Sequence, residues 1–222
     1  FNKNEKTISL ISEKSLIKNT PIGYKGLIEL SPFNFNLDIT AKDIDLNQLL
    51  KNQLLFNEII SSNVFSNKNL NGFIKVKTDK LYNNKIFDSG NIFLNLQEGN
   101  LNFDQSILSK KNKFQLTLVK STFLIEDGNL IVDGNLELDI FDIDEFYKIF
   151  PVPKKIKFKK KFKKINFEFS YNLIDAAIAI NKIVFINDKN KIQNSEILDN
   201  YVENNFENRY NYTNPIFFKN FM

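Results

Sequence analysis

The chain has 222 residues, of which 42% are hydrophobic and 25% charged, and its net charge is +4. This composition allows a buried core and excludes both a disordered chain and one embedded in a bilayer. Lysine supplies nearly all of the positive charge, with Arg209 as the single arginine. Because nucleic-acid-binding proteins commonly use arginine for bidentate contacts to bases and phosphates, we expect no nucleic-acid partner.

Histidine and cysteine are both absent from the sequence. Their absence excludes disulfides, the Ser-His and Cys-His nucleophile arrangements, and the usual zinc sites. No phosphate-cradling glycine loop occurs either. We therefore predict a protein that is not an enzyme and that has no cofactor and no metal site. A hydrolase that uses only carboxylates is the one catalytic alternative.

The N-terminal part of the chain predicts three strands and one short helix. Weak alternation of apolar residues indicates a strand within residues 1–20, and Pro21-Ile22-Gly23 is a turn signal. Strands follow at 26–30 and 34–39, where apolar and polar residues alternate. Asp45 is a plausible N-cap for a helix over 45–52, because leucines then recur at helical spacing.

From residue 72 onward a period of two residues predicts a series of strands. The predicted strands cover 72–81, 85–97, 100–104, 113–126, 129–133, 135–141, 165–171 and 176–186. A Gly-Asn dipeptide introduces a short apolar run at four places, and we interpret it as the turn between strands. These dipeptides begin at Gly90, Gly99, Gly128 and Gly134. A short helix is predicted around 144–149.

Two regions follow from this pattern. Residues 1–188 form a β-rich region, and residues 189–222 form an asparagine-rich tail in which a helix over 197–206 is one interpretation. The first residue is Phe and no stretch reaches the roughly 18 uninterrupted apolar residues of a membrane span. We expect an upstream segment, with a membrane anchor, to be missing from this sequence.

The predicted fold class is all-β: an extended, curved antiparallel sheet, either a β-groove or an open sandwich, with a few short helices. One face of this sheet is polar and the other is rich in Leu, Ile and Phe. Since a few hundred Å² of exposed apolar surface costs several kcal/mol at about 25 cal/mol per Å², something must cover the apolar face. A second sheet and a ligand with its own hydrocarbon are both possible covers.

Several segments resemble AsmA-like proteins of the Gram-negative envelope. They are the strand and its partner in 23–50, ending in Asp43-Ile44-Asp45-Leu46-Asn47-Gln48-Leu49-Leu50; the Asn71-Gly72 strand start; Glu98-Gly99-Asn100-Leu101; and 142–155 with the Tyr171-Asn172-Leu173 strand. The resemblance covers roughly 23–188 and places the chain in the late part of that family.

The resemblance implies a periplasmic protein that is held to the inner membrane by an N-terminal helix. It also implies a hydrophobic β-groove that carries phospholipid toward the outer membrane and contributes to outer-membrane biogenesis. Phospholipid acyl chains and other envelope proteins would be its partners. The alternative is a non-catalytic structural module of envelope or adhesin type, with a self-packed core.

Two groups of residues are the candidate sites. The apolar positions expected to line a lipid groove are Phe35, Leu37, Ile92, Leu94, Leu96, Leu101, Phe103, Leu116, Leu118, Leu136, Leu138, Phe167 and Phe169. The lysines expected to contact head groups or a membrane surface are Lys154, Lys155, Lys157, Lys159, Lys160, Lys161, Lys163 and Lys164.

Neither group is unambiguous from the sequence. Residues at the same apolar positions would equally form a self-packed core. The lysine run would also suit a solvated edge strand or an RNA-binding patch. An acidic cluster precedes the run, and we interpret it as solvent-face charges and a helix N-cap. Its members are Glu137, Asp139, Asp142, Asp144 and Glu145.

Overall fold

The protein is all-β in a computed structural model that describes residues 6–17, 20–45, 57–58, 60–62, 67–82, 84–149, 162–175, 177–187 and 192–193. Within these residues, twelve strands form one large open sheet, accompanied by one short helix. The strands are β1 Thr7–Ile17, β2 Thr20–Leu30, β3 Phe33–Ala41, β4 Asn71–Thr78, β5 Ser89–Gln97, β6 Asn100–Asn102, β7 Ile107–Lys110, β8 Phe114–Glu126, β9 Asn129–Ile140, β10 Phe162–Asn172, β11 Ala177–Asn187 and β12 Ile192–Gln193. The helix is α1, Ile143–Ile149.

The strands lie in the order β1-β2-β3-β4-β5-β7-β8-β9-β10-β11-β12, and β6 pairs with β5 beside β7. This order confirms the predicted all-β class with few helices. All neighbouring pairs are antiparallel except β3 and β4, which run parallel, so the expectation of a purely antiparallel sheet was wrong at this one place. Parallel neighbours need a crossover rather than a hairpin, and the connection 42–70 supplies it.

The register of the pairs keeps most of the apolar side chains on one side of the sheet. Residues directly opposite each other in a ladder point to the same face, and the face alternates along each strand. Phe35 therefore shares its face with Ile28 and Gly72, and Leu116 shares the same face with Leu108 and Leu138. We call this side of the sheet the apolar face and the other side the polar face.

The apolar face includes the following residues, from β1 to β11: Ile8, Leu10, Ile22, Tyr24, Ile28, Phe35, Leu37, Ile39, Ala41, Ile74, Val76, Ile92, Leu94, Leu96, Leu101, Leu108, Phe114, Leu116, Leu118, Phe123, Leu130, Val132, Leu136, Leu138, Ile140, Ile165, Phe167, Phe169, Tyr171, Ile178, Ile180, Ile183 and Phe185.

Two buried clusters occupy opposite ends of the strands on this face. The helix-side cluster consists of Leu81, Ile86, Phe87, Phe114, Leu116, Leu138, Ile140, Phe146, Tyr147, Phe162, Ile165 and Phe167. The turn-side cluster consists of Leu96, Leu101, Phe123, Leu130, Val132, Phe169, Tyr171 and Leu173. Side chains from the connection between β4 and β5 and from α1 cover the first cluster, so it is a closed core.

Two of the four predicted Gly-Asn turns, at Gly99 and Gly128, do lie in hairpin turns. In both, however, the glycine is the second turn residue, so that the turn consists of the preceding acidic residue and the glycine. Glu98-Gly99 and Asp127-Gly128 all have positive φ, between 49° and 81°, as a type I′ turn requires. The other two Gly-Asn dipeptides lie inside β5 and β9, so their assignment to turns was wrong. β9 is accordingly one strand where two had been predicted.

Three other predicted boundaries also differ. Pro21-Ile22-Gly23 lies within β2 rather than in a turn, because the pairing with β1 and β3 continues through it. Residues 85–88 precede β5, and Ile86 and Phe87 pack into the helix-side cluster. β7 was not predicted at all.

Two helix predictions lie largely or wholly outside the described residues. Beyond Asp45, the predicted helix over 45–52 is not described, and the same holds for 197–206. The predicted tail 189–222 contains β12, whose two residues pair with Phe185 and Ile186 of β11. Among the described residues, no helix is long and apolar enough to cross a membrane.

Asp142 anchors the start of α1, which confirms that the acidic cluster contains an N-cap. Its carboxylate accepts hydrogen bonds from the Glu145 N–H at 3.0 Å and from the Lys113 ammonium at 2.7 Å. The hydrogen bond from Lys113, followed by that from Glu145, lowers the pKa of Asp142. The same contact with Asp142 raises the pKa of Lys113.

A lowered folded-state pKa makes the stability supplied by Asp142 pH-dependent. This stability is fully present above the pKa of an unfolded aspartate, about 3.9, and is lost as the pH falls through the lower folded value. Asparagine caps helices as well as aspartate does, but its neutral amide cannot form an ion pair with lysine. We therefore expect Asp142→Asn to lower the urea midpoint at pH 7 and to lower it by less near pH 3.

The exposed Asp144→Asn variant removes one charge from the same turn and is the control for this experiment. Equal losses for Asp142→Asn at both pH values would show that the charge of Asp142 is not what stabilises α1.

Gly134 lies on β9, next to the register shift between Leu118 and Lys120 of β8. A Cβ at this position would lie 2.5 Å from the Lys120 carbonyl oxygen. Because a backbone atom cannot move aside cheaply, we expect Gly134→Ala to destabilise the fold by roughly 1–3 kcal/mol in urea denaturation.

At Gly23, within β2, an added Cβ would meet its nearest atom, the Ser12 carbonyl oxygen, at 3.5 Å. Gly23→Ala should therefore leave stability unchanged or raise it slightly. Equal effects of the two substitutions would contradict this account of Gly134.

Candidate functional site

One row of apolar side chains crosses the middle of the apolar face, between the two clusters. We call it the central row, and it runs from β2 to β11 through Tyr24, Ile39, Val76, Ile92, Leu118, Leu136, Phe167 and Ile183. Ser106 bridges the one gap, because its carbonyl accepts the Leu118 N–H at 2.9 Å and its hydroxyl bonds to the backbone of Phe93. With strands about 4.8 Å apart, the row is about 38 Å long.

The two halves of the apolar face differ in how they are covered. On β8 to β10, Leu118 and Leu136 pack against the buried clusters, and Phe167 is only 4% exposed. On β1 to β5, a group of half-buried apolar residues belongs to neither cluster of the described structure. We call this group the open half, and it consists of Ile8, Leu10, Tyr24, Ile28, Leu37, Ile39, Ile74, Val76 and Ile92.

All thirteen predicted groove residues lie on the apolar face, but they do not share one environment. Leu37 and Ile92 belong to the open half, and Phe35 and Leu94 lie beside it, packed against the turn-side cluster. Six are fully buried core residues, namely Leu96, Leu101, Leu116, Leu138, Phe167 and Phe169. The remaining three, Phe103, Leu118 and Leu136, pack against the clusters.

The residues predicted from the sequence to line a groove leave out most of the open half. Leu10 lies in a strand without predicted limits, and Tyr24 lies just before the predicted strand 26–30. Ile28, Ile74 and Val76 lie in predicted strands from which no groove residue was chosen. The alternation of apolar and polar residues was the signal that identifies all of them.

Glycines let neighbouring side chains lie close to the sheet at the border of the open half. The ring of Phe35 lies over Gly72, where an added Cβ would be 2.2 Å from the nearest ring atom. Phe33 contacts Phe35 edge-on, with ring centroids 6.3 Å apart, and is 39% exposed. The open half therefore extends to an exposed apolar hairpin tip between β2 and β3.

The buried polar residues of this face have their hydrogen bonds satisfied. The Thr78 hydroxyl donates to the Lys80 carbonyl at 2.8 Å, and the Ser121 hydroxyl donates to Asp104 at 2.9 Å. Among the described residues, no group of acidic side chains is placed to hold a metal ion. What the apolar face presents is hydrocarbon.

The charged residues lie mainly on the polar face and at the strand ends. Lys164 pairs with Glu137 at 2.7 Å and with Asp139 at 3.3 Å across β9 and β10. The hydrogen bond to Glu137, assisted by the charge of Asp139, raises the pKa of Lys164. Lys163 is exposed, and the other six predicted head-group lysines, 154–161, lie outside the described residues.

The rest of the acidic cluster has structural roles as well. Asp142 caps α1, and Glu145 pairs with Lys148 one helical turn later. These contacts agree with the interpretation of the cluster as solvent-face charges and an N-cap.

The crossover from β3 to β4 begins and ends on the apolar face. Ile44, which precedes it, packs against the helix-side cluster. Ile60 and Leu70, which lie near its end, pack against the turn-side cluster. The described ends of this connection thus flank the central row.

Comparison of the chain with protein-family models, with curated proteins and with solved structures found no match.

The difference between the two halves predicts different responses to the same kind of substitution. Leu138 is completely buried, so Leu138→Ser should cost roughly 3 kcal/mol or more, from lost apolar burial and an unpartnered hydroxyl. Val76, in the open half, is half-buried, so Val76→Ser should cost about 1 kcal/mol or less. Urea denaturation followed by circular dichroism measures both values, and equal losses would show that Val76 is covered as completely as Leu138.

Proposed function

We propose that the apolar face, and the open half above all, binds the acyl chains of phospholipid. The observation that supports this proposal is the half-buried stretch of the central row on β2 to β5, which belongs to neither buried cluster of the described residues and lies next to a closed core on β8 to β10. A monomeric soluble protein seldom leaves a contiguous apolar surface without a partner. Hydrocarbon is a suitable partner for such a surface, since it has no polar groups that need hydrogen bonds.

The dimensions of the open half suit a single acyl chain. Its five strands span about 19 Å across the sheet at a spacing of about 4.8 Å. One leaflet contributes about half of the roughly 30 Å hydrocarbon thickness of a bilayer, so an extended acyl chain covers about 15 Å. A chain lying across the strands would fit within the open half.

The proposed role is passive and non-enzymatic. Leu37, Ile39 and Val76 would surround the acyl chain, while the head group stays in water at the margin of the face. Transfer would follow from the exchange of hydrocarbon between this surface and a bilayer, without a chemical step. The lack of histidine and cysteine in the sequence supports the absence of nucleophilic catalysis.

The wider setting is part of the same proposal. The resemblance to AsmA-like proteins supports a periplasmic, inner-membrane-anchored protein that moves phospholipid between the two membranes of a Gram-negative envelope. Other envelope proteins would be its macromolecular partners in that setting, and nucleic acid would not.

One observation favours a second candidate, a structural module with a self-packed core. Ile44, Ile60 and Leu70 bring both ends of the crossover onto the apolar face. If the chain itself covers the open half, the face is a core and no lipid would bind there. The same experiment separates the two candidates.

The test is native mass spectrometry of the 222-residue chain after mild extraction, before and after addition of phospholipid. We expect bound phospholipid in the wild-type protein and its loss in the double variant Val76→Asp, Ile92→Asp. These two residues lie opposite each other on β4 and β5, so two carboxylates there would place charge against hydrocarbon.

Lys77→Asp is the matched control, because Lys77 follows Val76 on the same strand and is exposed on the polar face. It should retain lipid, with all variants folded by circular dichroism. A wild-type chain that carries no lipid and takes up none would favour the self-packed module.

A further inference from the structure

An open cavity of about 560 Å³ lies on the polar face, at the helix-side end of the strands. Its walls come from the connection between β4 and β5, from β7, from β8 and from the residue that follows β9. We call it the polar cavity. Its volume is in the range of small-molecule sites, roughly 300–1,000 Å³.

Three polar side chains form a row across this cavity. Ser89 of β5 lies opposite Ser109 of β7, and Ser109 lies opposite Gln115 of β8, so all three side chains share the polar face. Within the part of the chain that the structure describes, neither serine hydroxyl has a hydrogen-bond partner, and Gln115 donates only to Thr117, at 3.3 Å. The row therefore offers donors and acceptors that a ligand can use.

Two aspartates complete the polar lining. Asp88 accepts hydrogen bonds from the Lys110 ammonium at 2.8 Å and from the Lys111 N–H at 3.1 Å, so it holds the turn after β7 at the cavity. The Thr78 hydroxyl bonds to the backbone two residues later and fixes the turn that contains Asp79. The Asp79 carboxylate itself is exposed and has no partner among the described residues.

The charges around the polar cavity cancel. Asp79 and Asp88 balance Lys110 and Lys111, so the lining has no net charge. Neither an anion nor a cation is favoured by such a lining. A ligand that is uncharged but rich in hydroxyl groups suits it, because each hydroxyl both donates and accepts hydrogen bonds.

Phe141 adds an aromatic surface at the margin of the cavity. Its N–H donates to the Lys113 carbonyl at 2.8 Å, which fixes its backbone, and its side chain is 66% exposed. An aromatic ring has a negative face, and one face of a pyranose ring presents C–H bonds that can pack against it. An exposed phenyl ring beside hydroxyl, amide and carboxylate groups therefore points to a sugar.

We propose that the polar cavity binds a neutral carbohydrate of one or two sugar rings. Phe141 stacks on the C–H face of a ring, while Asp79, Gln115 and the two serines exchange hydrogen bonds with its hydroxyls. Hydrocarbon would leave these polar groups without partners, so an acyl chain does not suit this cavity. The inference goes beyond the proposed function, because it concerns the polar face and a different class of ligand.

The test is saturation-transfer difference NMR of the 222-residue chain with the methyl glycosides of glucose, galactose, mannose and N-acetylglucosamine. We expect saturation transfer to at least one of these sugars, strongest at the C–H protons of one ring face. Phe141→Ser should weaken this binding roughly tenfold, because the stacking surface is lost. Asp79→Asn should weaken it at least about fivefold, because a hydrogen bond to a charged acceptor is stronger than one to a neutral amide.

Matched controls lie outside the polar cavity. Tyr82→Ser removes an aromatic ring from a side chain that is 55% exposed, and Asp127→Asn neutralises an exposed carboxylate in the hairpin turn between β8 and β9. Both should bind the sugar as the wild type does, with every variant folded by circular dichroism.

Three results would overturn the proposal. They are wild-type affinity in both Phe141→Ser and Asp79→Asn, no saturation transfer to any of the sugars, and transfer to glycerophosphoethanolamine in place of a sugar. The last result would assign the cavity to a lipid head group.

This experiment can fail independently of the acyl-chain proposal. Val76→Asp, Ile92→Asp should lose bound phospholipid and still bind the sugar, whereas Phe141→Ser should keep bound phospholipid and bind the sugar weakly.

Discussion

The register of the sheet is the constraint on which the rest of the structure depends. Because side chains alternate with a period of two, a slip of one residue in any ladder would move a whole strand's apolar residues to the opposite face. The observed register avoids such a slip from β1 to β11, even where it shifts at Leu118 and Lys120. There an extra residue on β8 is accommodated without a change of face, since Leu118 and Phe123 both stay opposite apolar residues of β9. Most apolar strand positions are thereby gathered on one side, although Phe73 and Phe93 contact each other on the other side. What covers the apolar side is therefore the next question.

The structure answers this question for only half of the sheet. On β8 to β10, Phe146 and Tyr147 of α1 and the residues before β5 close the helix-side cluster, with Phe114 and Phe146 packed edge to face at 6.1 Å. This half has the complete burial that stabilises a fold, and Asp142 holds the helix that covers it. On β1 to β5 the same face continues with the same kinds of residue but without that cover in the described structure. A closed core can stabilise the sheet as a whole, so that the open half is free to serve another purpose.

The fold class and the residues of the apolar face could be predicted from the sequence. The division of that face into a closed core on β8 to β10 and the open half on β1 to β5 could not. Alternation is a local property, and it correctly assigned Phe35, Leu94, Leu116 and Phe167 to one side. Burial depends on which distant segment packs above a residue. Leu116 and Ile92 lie on the same face of the sheet, yet Leu116 is buried in the helix-side cluster with residues of α1 and of the β4–β5 connection, while Ile92 belongs to neither cluster of the described residues. Nothing near either residue in the sequence distinguishes them.

The errors in turn assignment have a related cause. Gly-Asn was interpreted as a turn at four places, but a glycine is also useful inside a strand where another chain segment comes close. At Gly134 the close neighbour is the Lys120 carbonyl, and at Gly90 the nearest atom is in the side chain of Leu108, across the ladder. Only Gly99 and Gly128 have the positive φ of a turn. The dipeptide alone cannot separate these uses, because the neighbour that requires the glycine comes from elsewhere in the chain.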